Sequence, residues 1–321
     1  MNKTVKIVLF AAGSAIASAP VAAQTVGFAT LPPGALYNIT AQVMSKVIQK
    51  KSGLKMRVLP FRGGAAVHAA VNAKRAAFGV TEVASLTWAY LGKAEFKGRA
   101  MKNLRVAMML RPLTVGFYVR KDSGINSLKD MKGKKFPTKW SAFPNSIPLS
   151  EGIMATAGLT WKDMKGVPVT NIIRAADDFK ARKLDISFFA IGAPKMTEVN
   201  SAVGGIKFLP VPNTPEALKA MQSVRPDYYI RVIKPAPINA GIAKPTPGLS
   251  VDTIISVGAH VKDEVVTKFL EAVLASKPEL IKGHPLFRAH NPKDAGKAFA
   301  IAKHHPAAIA FFKKKGLWKG K

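Results

Sequence analysis

The chain has 321 residues, of which 48% are hydrophobic, and a formal net charge of +31 at pH 7. It contains no cysteine, which excludes disulfide bonds, thiolate metal sites, cysteine nucleophiles and a lipid-modified cysteine. Length and hydrophobic content suffice for two domains of ordinary size. A field this positive attracts anionic solutes, lipid headgroups and nucleic acid alike, and it also keeps a surface soluble, so the charge alone selects no partner.

The N-terminus has the pattern of a secretory signal peptide over residues 1–23. Two early lysines precede an apolar run that ends in small residues, and we expect cleavage after Ala23, which would place the mature protein in the periplasm. Cleavage after Ala19 also fits the small-residue rule, but it would leave Pro20 at the new terminus. A transmembrane anchor is the alternative, although the run falls short of the roughly 20 apolar residues that a span needs. Cleavage would remove two lysines and leave a net charge of +29, from 47 basic and 18 acidic side chains.

The first part of the mature chain alternates between strands and helices. The predicted strands are 25–30, 55–60 and 77–81, and the predicted helices are 37–51 and 62–74. This alternation is typical of an open, largely parallel α/β sheet.

Two apolar strands follow at 104–110 and 113–120, and only Arg111 and Pro112 separate them. We interpret them as the edge of a first lobe and the crossing into a second, with a hinge near Leu113 to Arg120. The later predicted elements are a short helix within 122–135 with Ser127 as N-cap, a helix ending at 157, strands at 167–173, 185–191, 206–211 and 253–259, and a helix at 262–275. The prediction is lobe 1 from residues 24–112 plus 213–321, and lobe 2 from 113–212.

Catalytic signatures are missing from the sequence. There is no Gly-x-Ser-x-Gly, His-Glu-x-x-His, phosphate-binding Gly-Lys-Ser/Thr loop or Gly-x-Gly-x-x-Gly. Ser52 and Lys55 have the spacing of a penicillin-recognising enzyme but span a predicted helix end. The six histidines lack the spacing of a metal site, and a surface or capping role is favoured for His304 and His305. We therefore predict a protein that is not an enzyme and has no cofactor.

Nucleic-acid binding has the charge in its favour but lacks aromatic residues interleaved with the basic ones, so we expect no nucleic-acid partner. A basic envelope protein that binds an anionic polymer or nucleic acid stays as the alternative function.

Four segments together resemble the TAXI family, the solute-binding subunits of certain tripartite ATP-independent periplasmic (TRAP) transporters. The resemblance covers the whole mature chain. The segments are Gly34-Ala35-Leu36-Tyr37; Arg62-Gly63-Gly64 followed by 79–84; 119–125 with Ser127-Leu128-Lys129-Asp130; and His305-Pro306-Ala307-Ala308 with Phe311-Phe312 and Lys315-Gly316-Leu317.

The resemblance implies a two-lobed α/β periplasmic-binding-protein fold, type II-like, with a ligand cleft between the lobes. It also implies a receptor that delivers a small organic anion, glutamate-like or aromatic, to the membrane subunit of a TRAP transporter; we expect a monomer. The chain departs from the family in two loops. Residues 30–33 contain two prolines where the family has glycines, and 139–146 contain larger side chains where the family has small ones. These departures concern the ligand and not the fold.

Ligands of open α/β sheets bind beyond the carboxyl ends of the strands, against helix N-termini. The candidate ligand-binding residues in such loops are Tyr37, Arg62, Gly63, Gly64, Thr81, Glu82, Lys139, Trp140, Ser141 and Ser146. Gly63 and Gly64 would let the backbone approach a ligand or would simply form a tight turn. Tyr37 offers a ring face and a hydroxyl, or is a half-buried core residue.

The charged and aromatic candidates predict the kind of ligand. Arg62 or Lys139 could pair with a carboxylate, unless each is an ordinary surface charge. Glu82 could accept a hydrogen bond from a ligand amine or hydroxyl, or cap the helix that follows it. Trp140 could stack on the ligand or close the cleft. Together with Tyr37 and Phe143, it suggests a ligand with an apolar or aromatic body.

Overall fold

The structure is a computed structural model that describes residues 25–320, so the predicted signal peptide lies outside the described residues. Its strands are β1 (Thr25–Thr30), β2 (Lys55–Pro60), β3 (Phe78–Glu82), β4 (Leu104–Arg120), β5 (Lys135–Thr138), β6 (Lys165–Pro168), β7 (Ile186–Ala190), β8 (Ile206–Phe208), β9 (Tyr229–Ile233) and β10 (Thr246–Gly258). Its α-helices are α1 (Leu36–Ser52), α2 (Gly64–Asn72), α3 (Val83–Leu91), α4 (Ser146–Ala155), α5 (Ile172–Lys180), α6 (Pro194–Ala202), α7 (Pro215–Val224), α8 (Asp263–Leu274), α9 (Lys277–Gly283) and α10 (Pro306–Lys314).

One mixed sheet organises the molecule. Its strand order is β2-β1-β3-β10-β4-β7, with β9 also paired to β10 and β8 also paired to β4. β1 runs parallel to both β2 and β3, as the sequence predicts for the first lobe. β10 runs antiparallel to β3, β4 and β9, so the sheet is less parallel than the prediction. A second, two-stranded parallel sheet joins β5 and β6.

The two longest strands, β4 and β10, run side by side through the middle of the sheet. The prediction of two strands separated by Arg111 and Pro112 was wrong, because β4 is continuous over 17 residues. Pro112 lies opposite Asp252, next to a register shift between Thr253 and Ile254. A proline fits beside such an irregularity because its missing N–H costs little where the ladder is already interrupted.

The two ends of β4 have different neighbours. Its first half pairs with the second half of β10, which also holds β3. Its second half pairs with β7 and β8, while the first half of β10 pairs with β9. Helix α7 packs on α4, beside this second half of the sheet. The long strands therefore connect two groups of elements.

Local sequence signals explain where most elements begin and end. Helix α1 ends at Gly53, whose φ of 71° is easily adopted by glycine. Helix α10 begins at Pro306, and the His305 ring caps it by accepting from the Ala307 N–H. The predicted strand at 167–173 was wrong in its second half: Asn171 accepts from the Arg174 N–H and thereby starts α5.

Aromatic clusters form the core on both sides of the crossing strands. Phe28, Phe78 and Phe269 are fully buried, and the rings of Phe78 and Phe269 stack at a centroid distance of 4.1 Å. Phe117 packs edge-to-face on Phe136 at 4.8 Å on the other side. Among the described residues, no helix is both long enough and apolar enough to cross a membrane.

Candidate functional site

A cavity lies where the loop after β1, the end of β3, the crossing strand β4 and the loop after β5 meet. Its lining residues are Leu31, Ala35, Leu36, Tyr37, Glu82, Leu113, Val115, Phe143, Asn145, Leu149, Ile172, Phe188, Phe189 and Ala190. The volume that the centre of a water-sized sphere can reach is ≈ 40 Å³. That is room for about three water molecules. A solute of more than a few atoms therefore requires the walls to move apart.

The cavity is lined mostly by aliphatic and aromatic side chains. Only Tyr37, Glu82 and Asn145 bring polar side-chain groups to it, and none of the lining residues carries a positive charge. The Tyr37 hydroxyl and the Asn145 Oδ1 are buried without a hydrogen-bond partner among the described residues. Because an unpaired buried polar group costs about 1–3 kcal/mol, a ligand that pairs with these atoms would recover that free energy.

Glu82 is the charged group of the cavity and is only 3% exposed. Its Oε2 accepts from the Ser85 N–H at 2.9 Å, so the side chain caps α3. Burial raises the pKa of Glu82 to about 7. The nearby Arg225 and the hydrogen bond from Ser85 oppose this rise, whereas the carboxyl groups of Glu95 and Asp227 add to it. Near neutral pH the carboxyl is therefore poised between its charged and neutral forms.

A buried ion pair lies near Glu82. The Arg225 side chain is 2% exposed, and its Nη2 donates to Glu95 Oε2 at 2.8 Å. Nη1 donates to the Ala84 carbonyl at 3.2 Å, and the guanidinium lies 4.2 Å from the centre of the Trp88 ring. Arg225 is paired with Glu95, so it neutralises Glu82 only in part. In a chain this basic, the surroundings of Glu82 are unusually rich in acid.

The two walls of the cavity are in contact. A Cβ on Gly63, which precedes α2, would lie 1.7 Å from the Ala142 carbonyl oxygen in the loop after β5. A Cβ on Gly64 would lie 3.3 Å from Asn145 Nδ2. On another edge, the Lys195 N–H of α6 donates to the Gly34 carbonyl at 3.2 Å. The structure is thus a closed conformation, in which glycine permits the backbones to touch.

The structure brings only some of the predicted site residues to the cavity. Tyr37 and Glu82 line it, and Gly63 and Gly64 form the contact between its walls. Arg62 is exposed and does not line the cavity. Lys139 and Ser141 are exposed and line a separate surface depression with Thr170, Arg174 and Asp178. A carboxylate in this closed cavity would therefore meet neither Arg62 nor Lys139.

Trp140, Thr81 and Ser146 lie in the interior. Trp140 is fully buried and packs edge-to-face on Phe188 at 6.1 Å, so it cannot stack on a solute in this conformation.

The backbone at Lys139 and Trp140 forms a left-handed kink, with φ values of 63° and 42° that few non-glycine residues adopt. Such strain marks a loop whose shape its surroundings impose. The kink precedes Phe143 and Asn145, which do reach the cavity.

Several cavity residues were not predicted from the sequence. Leu113 and Val115 lie on the crossing strand, and Phe188 and Phe189 end an apolar strand. Their hydrophobic patterns are those of ordinary core strands, and only Phe188 and Phe189 could have been marked by a position near the carboxyl end of a strand. Asn145 lies in the loop that the sequence singled out, two residues beyond Phe143.

A buried histidine lies close to two hydroxyl groups. His68 Nε2 lies 3.0 Å from Ser85 Oγ and 3.2 Å from Thr81 Oγ1. Burial lowers the pKa of His68 to about 3, and its Nδ1 has no partner. Neither His68 nor Ser85 lines the cavity. Within residues 25–320, no group of three or more potential ligand side chains could hold a metal ion.

Comparison with known proteins identifies the fold. Residues 28–316 match the model of the NMT1-like family. A solved structure described as a periplasmic transporter superposes with a TM-score of 0.56 at 14% identity, covering 83% of this chain and 87% of that one. A binding protein component of an ABC phosphonate transporter from Pseudomonas aeruginosa gives 0.53 at 12% identity, with 83% and 79% covered.

A third solved structure is an amino acid ABC transporter substrate-binding protein from Streptococcus pneumoniae bound to L-arginine. It gives a TM-score of 0.50 at 13% identity, with 83% of this chain and 95% of that one covered. At such identities these likenesses show the fold alone. The predicted two-lobed α/β fold of periplasmic binding proteins is thereby confirmed.

Proposed function

This chain belongs to the NMT1-like family, and from that premise we propose that it is an exported solute-binding protein that captures a small molecule for a membrane transporter. The observation that carries the proposal is the cavity between two touching walls, apolar except for one buried carboxyl and two unpaired polar atoms. Binding sites for small molecules are commonly apolar hollows with a few polar groups that fix the ligand.

The proposed ligand has an apolar body and a hydrogen-bond donor, an amine or a hydroxyl, that meets Glu82. Three features support this choice: the lining has no cation, Glu82 can accept a hydrogen bond, and Glu95 and Asp227 lie near it. The small organic anion expected from the family resemblance is the alternative. It would need Arg62 or Lys139 to enter the cavity when the lobes open.

The two ligand classes differ in a thermal-shift screen. The purified protein is heated with amines, carboxylates and neutral polyols, each at matched ionic strength. A single-site ligand at a hundred times its dissociation constant stabilises the protein by about 2.7 kcal/mol. Stabilisation by amines that disappears in Glu82→Gln supports the proposal. Stabilisation by carboxylates that disappears when both Arg62 and Lys139 become alanine supports the anion.

The pH dependence of affinity gives a second test. An ammonium ligand binds the ionised carboxyl, and burial raises the pKa of Glu82 to about 7 in the empty protein. Affinity should therefore rise with pH, by about tenfold from pH 6 to pH 8, because the ionised fraction grows by that factor. Titration calorimetry measures it. An affinity that is the same at both pH values would contradict a role for the Glu82 carboxylate.

We propose a division into two lobes that differs in one boundary from the sequence prediction. The predicted lobes are residues 24–112 with 213–321, and 113–212. The first crossing, near Leu113, is retained. The packing of α7 on α4 and the pairing of β9 with the first half of β10 favour a return crossing near Thr253 rather than at 213. Limited proteolysis between 213 and 228 should then release no separately folded fragment.

The partner transporter is proposed to be of the TRAP type, on the resemblance to the TAXI family. The similar structures from Pseudomonas aeruginosa and Streptococcus pneumoniae are described as components of ABC transporters, which makes that type the alternative. The neighbouring genes distinguish the two. A fused TRAP membrane subunit beside this gene supports the proposal, and an ATPase gene supports the alternative.

A further inference from the structure

A second hollow, the basic groove, adjoins the cavity, and Leu36 lines both. Leu113 and Val115 line the cavity, whereas Pro112 and Thr114 line this groove, because successive residues of a strand point to opposite faces. The volume of the groove is ≈ 590 Å³, compared with ≈ 40 Å³ for the cavity. It is thus large enough for a small molecule without any movement of the lobes.

Four basic side chains, Arg111, Arg231, Lys234 and Arg288, line the groove, and no acidic residue does. Among the described residues, none of the four forms a salt bridge, although Lys195, Arg225, Lys297 and other basic residues do. The four come from β4, β9, the segment after β9 and the turn after α9, so the fold collects them from distant parts of the chain.

Arg111 is the most informative of the four because it is only 4% exposed. Its Nη1 donates to the Pro112 carbonyl at 3.0 Å and its Nη2 to Thr40 Oγ1 at 3.4 Å, but its Nε has no partner. Burial lowers the pKa of Arg111 to about 10, with Tyr37 opposing this shift and Arg231 contributing to it, so Arg111 is still charged at neutral pH. A buried guanidinium without a counter-charge is costly, and a bound anion would offset that cost.

We propose that this groove is a second ligand site, which binds a small oxyanion carrying at least two negative charges, such as a phosphate compound or a polycarboxylate. The guanidinium groups of Arg231 and Arg288 supply the bidentate geometry that phosphate and carboxylate oxygens accept. Arg111 supplies a fixed positive charge from the middle of β4. The site is separate from the cavity of Glu82, which has no positive charge in its lining.

The test is calorimetric titration of the purified protein with pyrophosphate and with citrate, at constant ionic strength. The variant Arg231→Gln/Arg288→Gln removes two of the more accessible cations and leaves buried Arg111 in place, so folding is preserved. The control Lys46→Gln/Lys314→Gln removes the same charge from exposed helix positions that have no salt bridge among the described residues.

The expected result is saturable binding of one anion per chain, weakened at least tenfold in the groove variant and less than threefold in the control. Glu82→Gln should leave it unchanged, which separates this site from the cavity. The proposal is overturned if neither anion binds saturably, or if the control weakens binding as much as the groove variant. The second outcome would mean that the overall charge attracts anions diffusely.

Discussion

Replacing Glu82 with glutamine should stabilise the empty protein at neutral and alkaline pH. The carboxyl is 3% exposed, and burial raises its pKa from an ordinary value of 4.5 to about 7. The unfolded chain therefore loses its proton at a lower pH than the folded chain, and the folded state loses stability as pH rises from 4.5 to 7. At 1.36 kcal/mol per pH unit, this difference amounts to about 3 kcal/mol above pH 7. Glutamine keeps the acceptor for the Ser85 N–H and carries no charge, so it avoids the loss.

The assay is urea unfolding at pH 4 and pH 8 for the natural protein, Glu82→Gln and Glu271→Gln. Glu271 is exposed on α8 and provides the same chemical change without burial. The free energy of unfolding of Glu82→Gln should equal that of the natural protein at pH 4 and exceed it by about 1–3 kcal/mol at pH 8. Glu271→Gln should show no such pH-dependent gain. Destabilisation of Glu82→Gln at pH 8 would refute the reasoning, because it would mean that the pairing of Glu82 outweighs its desolvation.

Three further substitutions test the cavity and its support. Gly63→Ala should weaken ligand binding at least tenfold and enlarge the radius of gyration in X-ray scattering. The reason is that the new Cβ would overlap the Ala142 carbonyl oxygen in the closed form. An unchanged affinity would show that closure is not needed for binding. Tyr37→Phe should stabilise the empty protein by about 1 kcal/mol in urea unfolding, because it removes an unpaired buried hydroxyl, and a loss of stability would contradict this. Arg225→Met should destabilise by about 3–5 kcal/mol, because Glu95 would be left buried without its partner, whereas a smaller effect would indicate that water solvates Glu95.

The sequence by itself determined the type of fold and the position of most elements. β2 was predicted at its observed bounds, and α1 within one residue at each end. Alternation and helical spacing are local signals, and Gly53 clearly marks the end of α1. The end of β3 and the glycines at the start of α2 were also predicted from the sequence as candidate site positions. Each of these signals lies within a few neighbouring residues, which is the range over which a single sequence can be interpreted.

Tertiary structure decided what each candidate does. Lys139 and Trp140 belong to the predicted loop, but a left-handed kink turns Lys139 outwards and buries Trp140, while Phe143 and Asn145 enter the cavity. The environment that sets the charge of Glu82 comes from Arg225 and Glu95, which lie 143 and 13 residues away in the chain. The basic groove likewise combines Arg111 with Arg231 and Arg288. Burial and charge at these positions depend on contacts between distant segments, and no local pattern in the sequence encodes them.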